Sequence, residues 1–129
     1  LTPDDILPGI KESLAWPKEN RIPFSLFSVS RNTDRILQKI GLEDTFTIRV
    51  TGNDIEHSKP HFEGYLLAAE RMGVGPRLSV MVEDSEAGIA GAKALSLLTL
   101  AIMQENKADA DVCIASSEDL KEALGSFFY

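Results

Sequence analysis

The sequence predicts an α/β domain built around a mainly parallel sheet, and three observations carry that reading. Apolar runs of strand length alternate with amphipathic helical patterns along the whole chain. Neither internal repeats nor low-complexity tracts nor linkers interrupt the alternation, so residues 1–129 form a single domain. Polar clusters follow three of the predicted strands directly, at Ser28 to Asn32, Ser58-Lys59-Pro60 and Glu83-Asp84-Ser85.

Taken in order, Pro8-Gly9 opens a first helix carrying Ile10, Leu14 and Ala15, which Pro17 should end or kink. Phe24-Ser25-Leu26-Phe27 is a buried strand ending at Ser28. Ser30, Asn32 or Thr33 caps the next helix, whose apolar face is Ile36, Leu37 and Ile40, and Gly41 suits its left-handed end. The alternation Phe46-Thr47-Ile48-Arg49-Val50-Thr51 predicts a strand at or near a sheet edge. Pro60 is expected to start a helix with Phe62, Leu66 and Ala69 on one side, stopped by Gly73. Leu78 to Val82 forms a third strand. The helix over 85–95 is rich in small residues (Ala87, Gly88, Ala90, Gly91, Ala92), which let it sit close to the sheet. A fourth strand spans 97–103, a short fifth 112–115, and a closing helix 117–124.

Composition narrows the function classes. Apolar residues make up 43% of the 129, enough for one buried core. Twenty acidic against thirteen basic side chains give a formal charge of −7, a field that repels nucleic acid and anionic membrane. A phosphorylated partner therefore needs a local basic site. Cys113 is the single cysteine and sits in the apolar stretch Val112-Cys113-Ile114; it is expected to be a buried small hydrophobe, and no disulfide framework or cysteine-based zinc site is possible. No stretch approaches a membrane span and nothing at the start resembles a secretory signal, so the cytoplasm is the expected compartment. The chain begins Leu1-Thr2-Pro3 without a methionine, and a segment upstream of residue 1 is expected.

In open α/β sheets ligands bind beyond the carboxyl ends of the strands, so the three polar clusters can converge on one site. Their chemistry is complementary. Hydroxyls and helix N-terminal amides cradle phosphate oxygens, a lysine neutralises a transferring group, and paired carboxylates suit Mg²⁺. Each cluster also has a plainer reading. Ser28, Ser30 and Asn32 are ordinary capping residues, Lys59 is a type usually solvated, and Glu83 and Asp84 favour a helix N-terminus through its dipole. The order and spacing of all three favour the shared site.

With these residues in view, the chain resembles the haloacid dehalogenase superfamily of phosphatases and mutases, especially its β-phosphoglucomutase-like branch. Leu26-Phe27-Ser28-Val29-Ser30-Arg31-Asn32 looks like that branch's second motif, and Ser58-Lys59-Pro60 with Leu67 to Val74 looks like the third. Val82-Glu83-Asp84-Ser85-Glu86-Ala87-Gly88-Ile89 is a close match to the fourth, the most specific of the set, and Ala108 to Leu120 is similar to family C-termini.

The resemblance implies a Rossmann-like three-layer sandwich and Mg²⁺ as cofactor. It implies that Ser28 and the Val29 amide hold the transferring phosphate, that Lys59 bridges phosphate and nucleophile, and that Asp84 ligates Mg²⁺ with Glu83 beside it, either as a further metal ligand or just behind the ligands. Ser30, Arg31 and Asn32 match positions that hold the far phosphate in sugar-phosphate mutases. The family's nucleophile, in an Asp-x-Asp pair ending a hydrophobic strand, has no counterpart here. Asp4-Asp5 follow no strand, and Asp109-Ala110-Asp111 precedes its strand, which sets its carboxylates at the wrong end of the sheet. The helical cap after the first strand has no counterpart either.

Removal of that central first strand leaves two unpaired edges, at the strands ending in Ser28 and Asp84. The expectation is that an upstream segment of the same protein supplies the strand, or that the sheet closes up or pairs with a second copy. The function that follows is the C-terminal core portion of a Mg²⁺-dependent phosphatase or phosphomutase acting on a small phosphorylated metabolite, with a sugar phosphate as one candidate, and inactive alone. The alternative is a truncated, non-catalytic relative that serves as a binding or oligomeric scaffolding module. His57 and His61 lie four apart, but Pro60 breaks the helix that would align them, so no metal site is expected there.

Overall fold

A computed structural model describes residues 1–59 and 61–128. It contains helices α1 (Ile10–Glu19), α2 (Thr33–Ile40), α3 (Glu63–Met72), α4 (Glu86–Ala94) and α5 (Leu120–Gly125). The strands are β1 (Leu26–Phe27), β2 (Arg49–Val50), β3 (Val80–Glu83), β4 (Leu98–Ile102) and β5 (Val112–Ile114). All strand pairs are parallel, as the alternation of strands and helices requires.

The strands do not form one sheet. β1 pairs with β2, and β3, β4 and β5 form a second sheet in that order. Among the described residues no strand lies between β1 and β3, so the sheet has not closed up across the gap.

The larger sheet has the three layers of an α/β sandwich. β4 is its middle strand, and Thr99, Leu100 and Ala101 are fully buried because both faces are covered. On one face Ala101 packs with Ile89 of α4 and Ala110. On the other, Leu100 packs with Leu120 and Ala123 of α5 and with Ile10 of α1. A third cluster, Tyr65, Ala92 and Leu97, receives Phe27 from β1 and Met81 from β3 and so bridges the two sheets. Cys113 is half-buried rather than buried, and its thiol donates to the Met103 carbonyl (3.4 Å).

Several elements depart from expectation. Pro17 neither ends nor visibly interrupts α1, which continues to Glu19 with Pro17 buried. The residue facing the core one turn earlier is Ser13, not Ala15, which is exposed; the Ser13 hydroxyl donates to the Gly9 carbonyl (2.6 Å). Ile36 is exposed on α2, and Thr33 and Leu37 form its buried face. Asn32 occupies the N-cap of α2 without a side-chain capping bond. Leu78 lies in a 3-10 turn, 83% exposed, so β3 starts only at Val80. Helix α3 begins at Glu63; the expectation that Pro60 opens it falls outside the described residues. β2 is short because β1 offers only a brief partner: Leu26 N–H donates to Ile48 O and Ser28 N–H to Val50 O.

Helix ends follow their chemistry. Gly41 and Gly73 take the left-handed conformation that closes α2 and α3. After α4 the same conformation falls on Ser96 (φ 62°), where family resemblance leads one to look for glycine.

Candidate active site

The site is built where β3 runs out into α4. Ser85 caps α4 by accepting from the Gly88 amide (3.0 Å). This turn leaves Glu83 and Asp84 at the carboxyl end of β3, beside the gap between the sheets. A cleft of about 220 Å³ opens there, lined by Phe27, Lys59, Met81, Val82, Glu83, Asp84 and Ile102.

Lys59 reaches the cleft from the segment before α3. Its Nζ donates to Glu83 Oε2 at 2.7 Å and lies 4.5 Å from the centre of the Phe27 ring. The pair is well shielded, with 19% of the Lys59 side chain and 8% of the Glu83 side chain exposed. The other Glu83 oxygen accepts from the amides of Asp84 (2.9 Å) and Ser85 (3.3 Å). Glu83 therefore has both oxygens engaged, whereas Asp84 is exposed and borders the open cleft.

Burial pushes the Glu83 carboxyl up, but the Lys59 hydrogen bond and its contact with Asp84 outweigh that and hold it below the usual carboxylate range. Asp84 moves the other way. Its side-chain hydrogen bond with Glu83, then burial and the Glu83 charge, make its proton harder to lose. A cation beside Asp84 would relieve that repulsion.

Two glycines make room for this arrangement. A Cβ at Gly88 would fall 2.3 Å from the Glu83 side chain, so the acid can tuck under the first turn of α4 only because Gly88 has none. A Cβ at Gly64 would fall 2.0 Å from the Phe27 ring, which packs flat on α3 there and edge-on to Tyr65 (5.3 Å between centres).

Tyr65 ties α3 to α4 by donating to the Gly88 carbonyl (2.8 Å). Burial, with a smaller contribution from the Glu83 charge, pushes its hydroxyl from 10.0 up to about 12. A raised folded-state value means the contribution is complete below pH 10 and is lost as pH rises toward 12. Alkaline denaturation titrations should accordingly show a steeper loss of stability over that range in the native sequence than in Tyr65→Phe. Parallel curves for the two proteins would refute the assignment.

The remaining sequence-predicted residues form a neighbouring loop. Ser28 continues β1 directly beyond Phe27, and its Oγ accepts from the Ser30 amide (3.4 Å). Ser30 Oγ accepts from the Asn32 amide (3.1 Å), and Thr33 Oγ1 donates to Ser30 O (2.8 Å). The loop after β2 supports it: Asn53 Nδ2 donates to Arg31 O (3.2 Å), and a Cβ at Gly52 would meet Val29 O at 2.2 Å. Thus Lys59, Glu83 and Asp84 share the cleft, while Ser28, Val29, Ser30, Arg31 and Asn32 are not among its lining residues.

Asp109 and Asp111 lie where their order in the chain puts them, at the start of the strands. Asp111 Oδ2 accepts from the amide and hydroxyl of Thr99, and Asp109 pairs with Lys93. Sequence reasoning missed Phe27 as the floor beneath Lys59 and Tyr65 as the tie to α4. It also missed that His57 and His61 meet, stacked 4.4 Å apart without any helix to align them. The apolar Phe27 and the His57/His61 spacing were visible signals, but their partners are set by tertiary structure.

Comparison with known proteins identifies the family and the fold. The family model of haloacid dehalogenase-like hydrolases matches residues 1–96. The chain is 33% identical over 121 residues to Beta-phosphoglucomutase of Bacillus subtilis, covering 93% of this chain and 54% of that protein. It is 32% identical over 130 residues to Hexitol phosphatase B of Escherichia coli K12, covering 93% of this chain and 59% of the relative. Among solved structures, beta-Phosphoglucomutase (pgmB) from Clostridium difficile superposes with a TM-score of 0.92 at 30% identity, covering 98% of this chain and 57% of that one. The chain thus spans little more than half the length of these relatives. By motif, fold and match alike, the chain belongs to the haloacid dehalogenase-like hydrolases.

Proposed function

We propose that this chain is the C-terminal core portion of a Mg²⁺-dependent phosphatase or phosphomutase that acts on a small phosphorylated metabolite of the sugar-phosphate class. The observation that carries the reading is the Lys59–Glu83–Asp84 constellation at the rim of a cleft beyond the end of β3. Relatives named for phosphorylated carbohydrates, from Bacillus subtilis, Thermotoga maritima and Escherichia coli, support the substrate class. The cytoplasm is the compartment this reading implies; among the described residues no helix is long and apolar enough to cross a membrane.

In this proposal Asp84 holds Mg²⁺, whose oxygen-ligand preference its exposed carboxylate meets. The cation would supply charge stabilisation to phosphoryl oxygens. Glu83, with both oxygens already accepting hydrogen bonds, positions Lys59 and the turn into α4 rather than ligating directly. Lys59 presents a fixed positive charge to an incoming phosphate. Ser28 and the Val29 amide, at the end of β1, bind the transferring group, and Ser30, Arg31 and Asn32 hold a second phosphate when the substrate carries one.

Phosphoryl transfer through a covalent intermediate requires a nucleophile in the same cleft. Glu83 and Asp84 are the carboxylates that line it, and both have other roles here. The nucleophile accordingly comes from an upstream half of the same protein, on a strand that fills the gap between β1 and β3. The chain alone is then inactive.

The test is to assay this chain alone and joined to the segment encoded upstream, with Mg²⁺ and a panel of sugar phosphates. Activity confined to the joined protein supports the reading, and metal-dependent turnover by the chain alone refutes it. The unpaired edges of β1 and β3 favour one second reading, a non-catalytic module that completes its sheet with a second copy. Inactivity of the joined protein, together with dimers of the chain in sedimentation, would select that alternative.

A further inference from the structure

Outside the cleft, among the described residues, one cluster of metal-ligating side chains has no part in the proposed phosphoryl-transfer chemistry. His57, His61 and Glu63 each offer a ligand atom, and these atoms lie within 4.8 Å of one another. His57 Nδ1 is 2.8 Å from Glu63 Oε2. The imidazoles stack at 4.4 Å with 23° between planes, and the exposed Phe62 ring stacks on His61 at 4.3 Å.

We infer that His57, His61 and Glu63 form a surface site for a borderline transition-metal cation of the Zn²⁺ class. Two imidazoles and one carboxylate are a donor set that selects Zn²⁺ and its first-row neighbours over Mg²⁺ or Ca²⁺. The carboxylate is already oriented, because its second oxygen accepts from the Glu56 amide (2.6 Å). Such an outer hydrogen bond fixes a ligand before the ion arrives.

Binding rearranges two existing contacts. The ion replaces the hydrogen shared by His57 Nδ1 and Glu63 Oε2, and that hydrogen leaves as a proton to solvent. At His61 it competes with the Glu63 amide, which now donates to Nδ1 (3.1 Å). Metal–ligand bonds of about 2.0–2.1 Å in a tetrahedral site require the two rings to open from their stack and converge. His57 is 58% exposed at its side chain, so it is free to turn. Three protein ligands leave a fourth position for water. The ligands flank Lys59 on both sides in sequence, so an ion here would also steady the segment that carries it.

The experiment is calorimetric titration of Zn²⁺ into this chain carrying Asp84→Asn, which removes the exposed carboxylate of the cleft as a competing ligand. His57→Gln, His61→Gln and the double variant are made in the same background, with circular dichroism to verify that each is folded. The expected result is one Zn²⁺ per chain, with affinity about tenfold weaker or worse in each single histidine variant. Co²⁺ should give a visible absorption band of a four-coordinate nitrogen–oxygen site that both histidine variants lose. Zn²⁺ affinity in the double variant equal to that of its parent, or no binding by the parent up to roughly millimolar Zn²⁺, would overturn the inference. Neither outcome depends on phosphatase activity, so failure here and failure of the proposed function are separable.

Discussion

Glu83→Ala is expected to destabilise the fold by about 3 kcal/mol, because it strands the Lys59 ammonium in a shielded site. The physical cause is asymmetric. The intact pair roughly balances Coulomb attraction against desolvation, so its net worth is small, whereas a lone buried charge keeps the full penalty. Lys59 has only 19% of its side chain exposed, and its other neighbours in the cleft are the face of Phe27 and the more distant charge of Asp84. Glu83 also accepts from the Asp84 and Ser85 amides, and these donors would lose their acceptor as well. Lys59→Met combined with Glu83→Gln should recover more than about half of the loss, since no charge is then left unpaired. Urea denaturation of Glu83→Gln, Lys59→Met and the double variant measures the coupling. A Glu83→Ala protein within about 0.5 kcal/mol of the native sequence would refute the buried pair.

The second large effect concerns turnover in the complete enzyme proposed above. Lys59→Met and Asp84→Asn should each lower kcat by about 10²–10³-fold, the range for removing one fixed electrostatic contact from a transferring group. The two differ in their side effects. Asp84 is exposed, and its hydrogen bond with Glu83, followed by burial and the Glu83 charge, opposes its ionisation, so Asn at this position should leave stability unchanged or slightly higher. Activity lost without stability lost is the signature expected of a ligand. Lys59→Met removes the partner of Glu83 and should depress both. Steady-state kinetics across a Mg²⁺ titration, read beside thermal denaturation, separates the cases. Asp84→Asn retaining more than about a third of native kcat would remove Asp84 from the proposed role.

The sequence made much of this site legible, because the relevant signals are local. A strand predicted to run to Val82, the Glu83-Asp84-Ser85 cluster after it and the small residues of the next helix determine where the acids stand; in the structure Ser85 caps that helix by accepting from the Gly88 amide. Gly41 and Gly73 end their helices for reasons that lie within a few residues. What was not legible depends on distant partners. Six alternating residues suggest a strand over 46–51, yet β2 has only two, since pairing needs an equally long neighbour. Pro17 looks like a helix breaker, but α1 carries it buried against the remainder of the fold. Lys59 looks like a solvated lysine until Glu83, 24 residues away, is brought to it. His57 and His61 lack helical spacing, but a loop can turn side chains toward each other without any periodicity.

The divided sheet also governs how the molecule responds to stress. Among the described residues β1–β2 and β3–β4–β5 exchange no main-chain hydrogen bonds, so mechanical continuity between them runs through side chains. Phe27, Tyr65 and Met81 in one apolar cluster, the Tyr65 hydroxyl on α4 and the Lys59–Glu83 pair form that hinge. A ladder of main-chain bonds fails all at once, whereas side-chain joints loosen one by one. The half holding β1 and β2 is therefore expected to lose amide-exchange protection before the three-stranded half, and a ligand bridging the cleft is expected to narrow that difference.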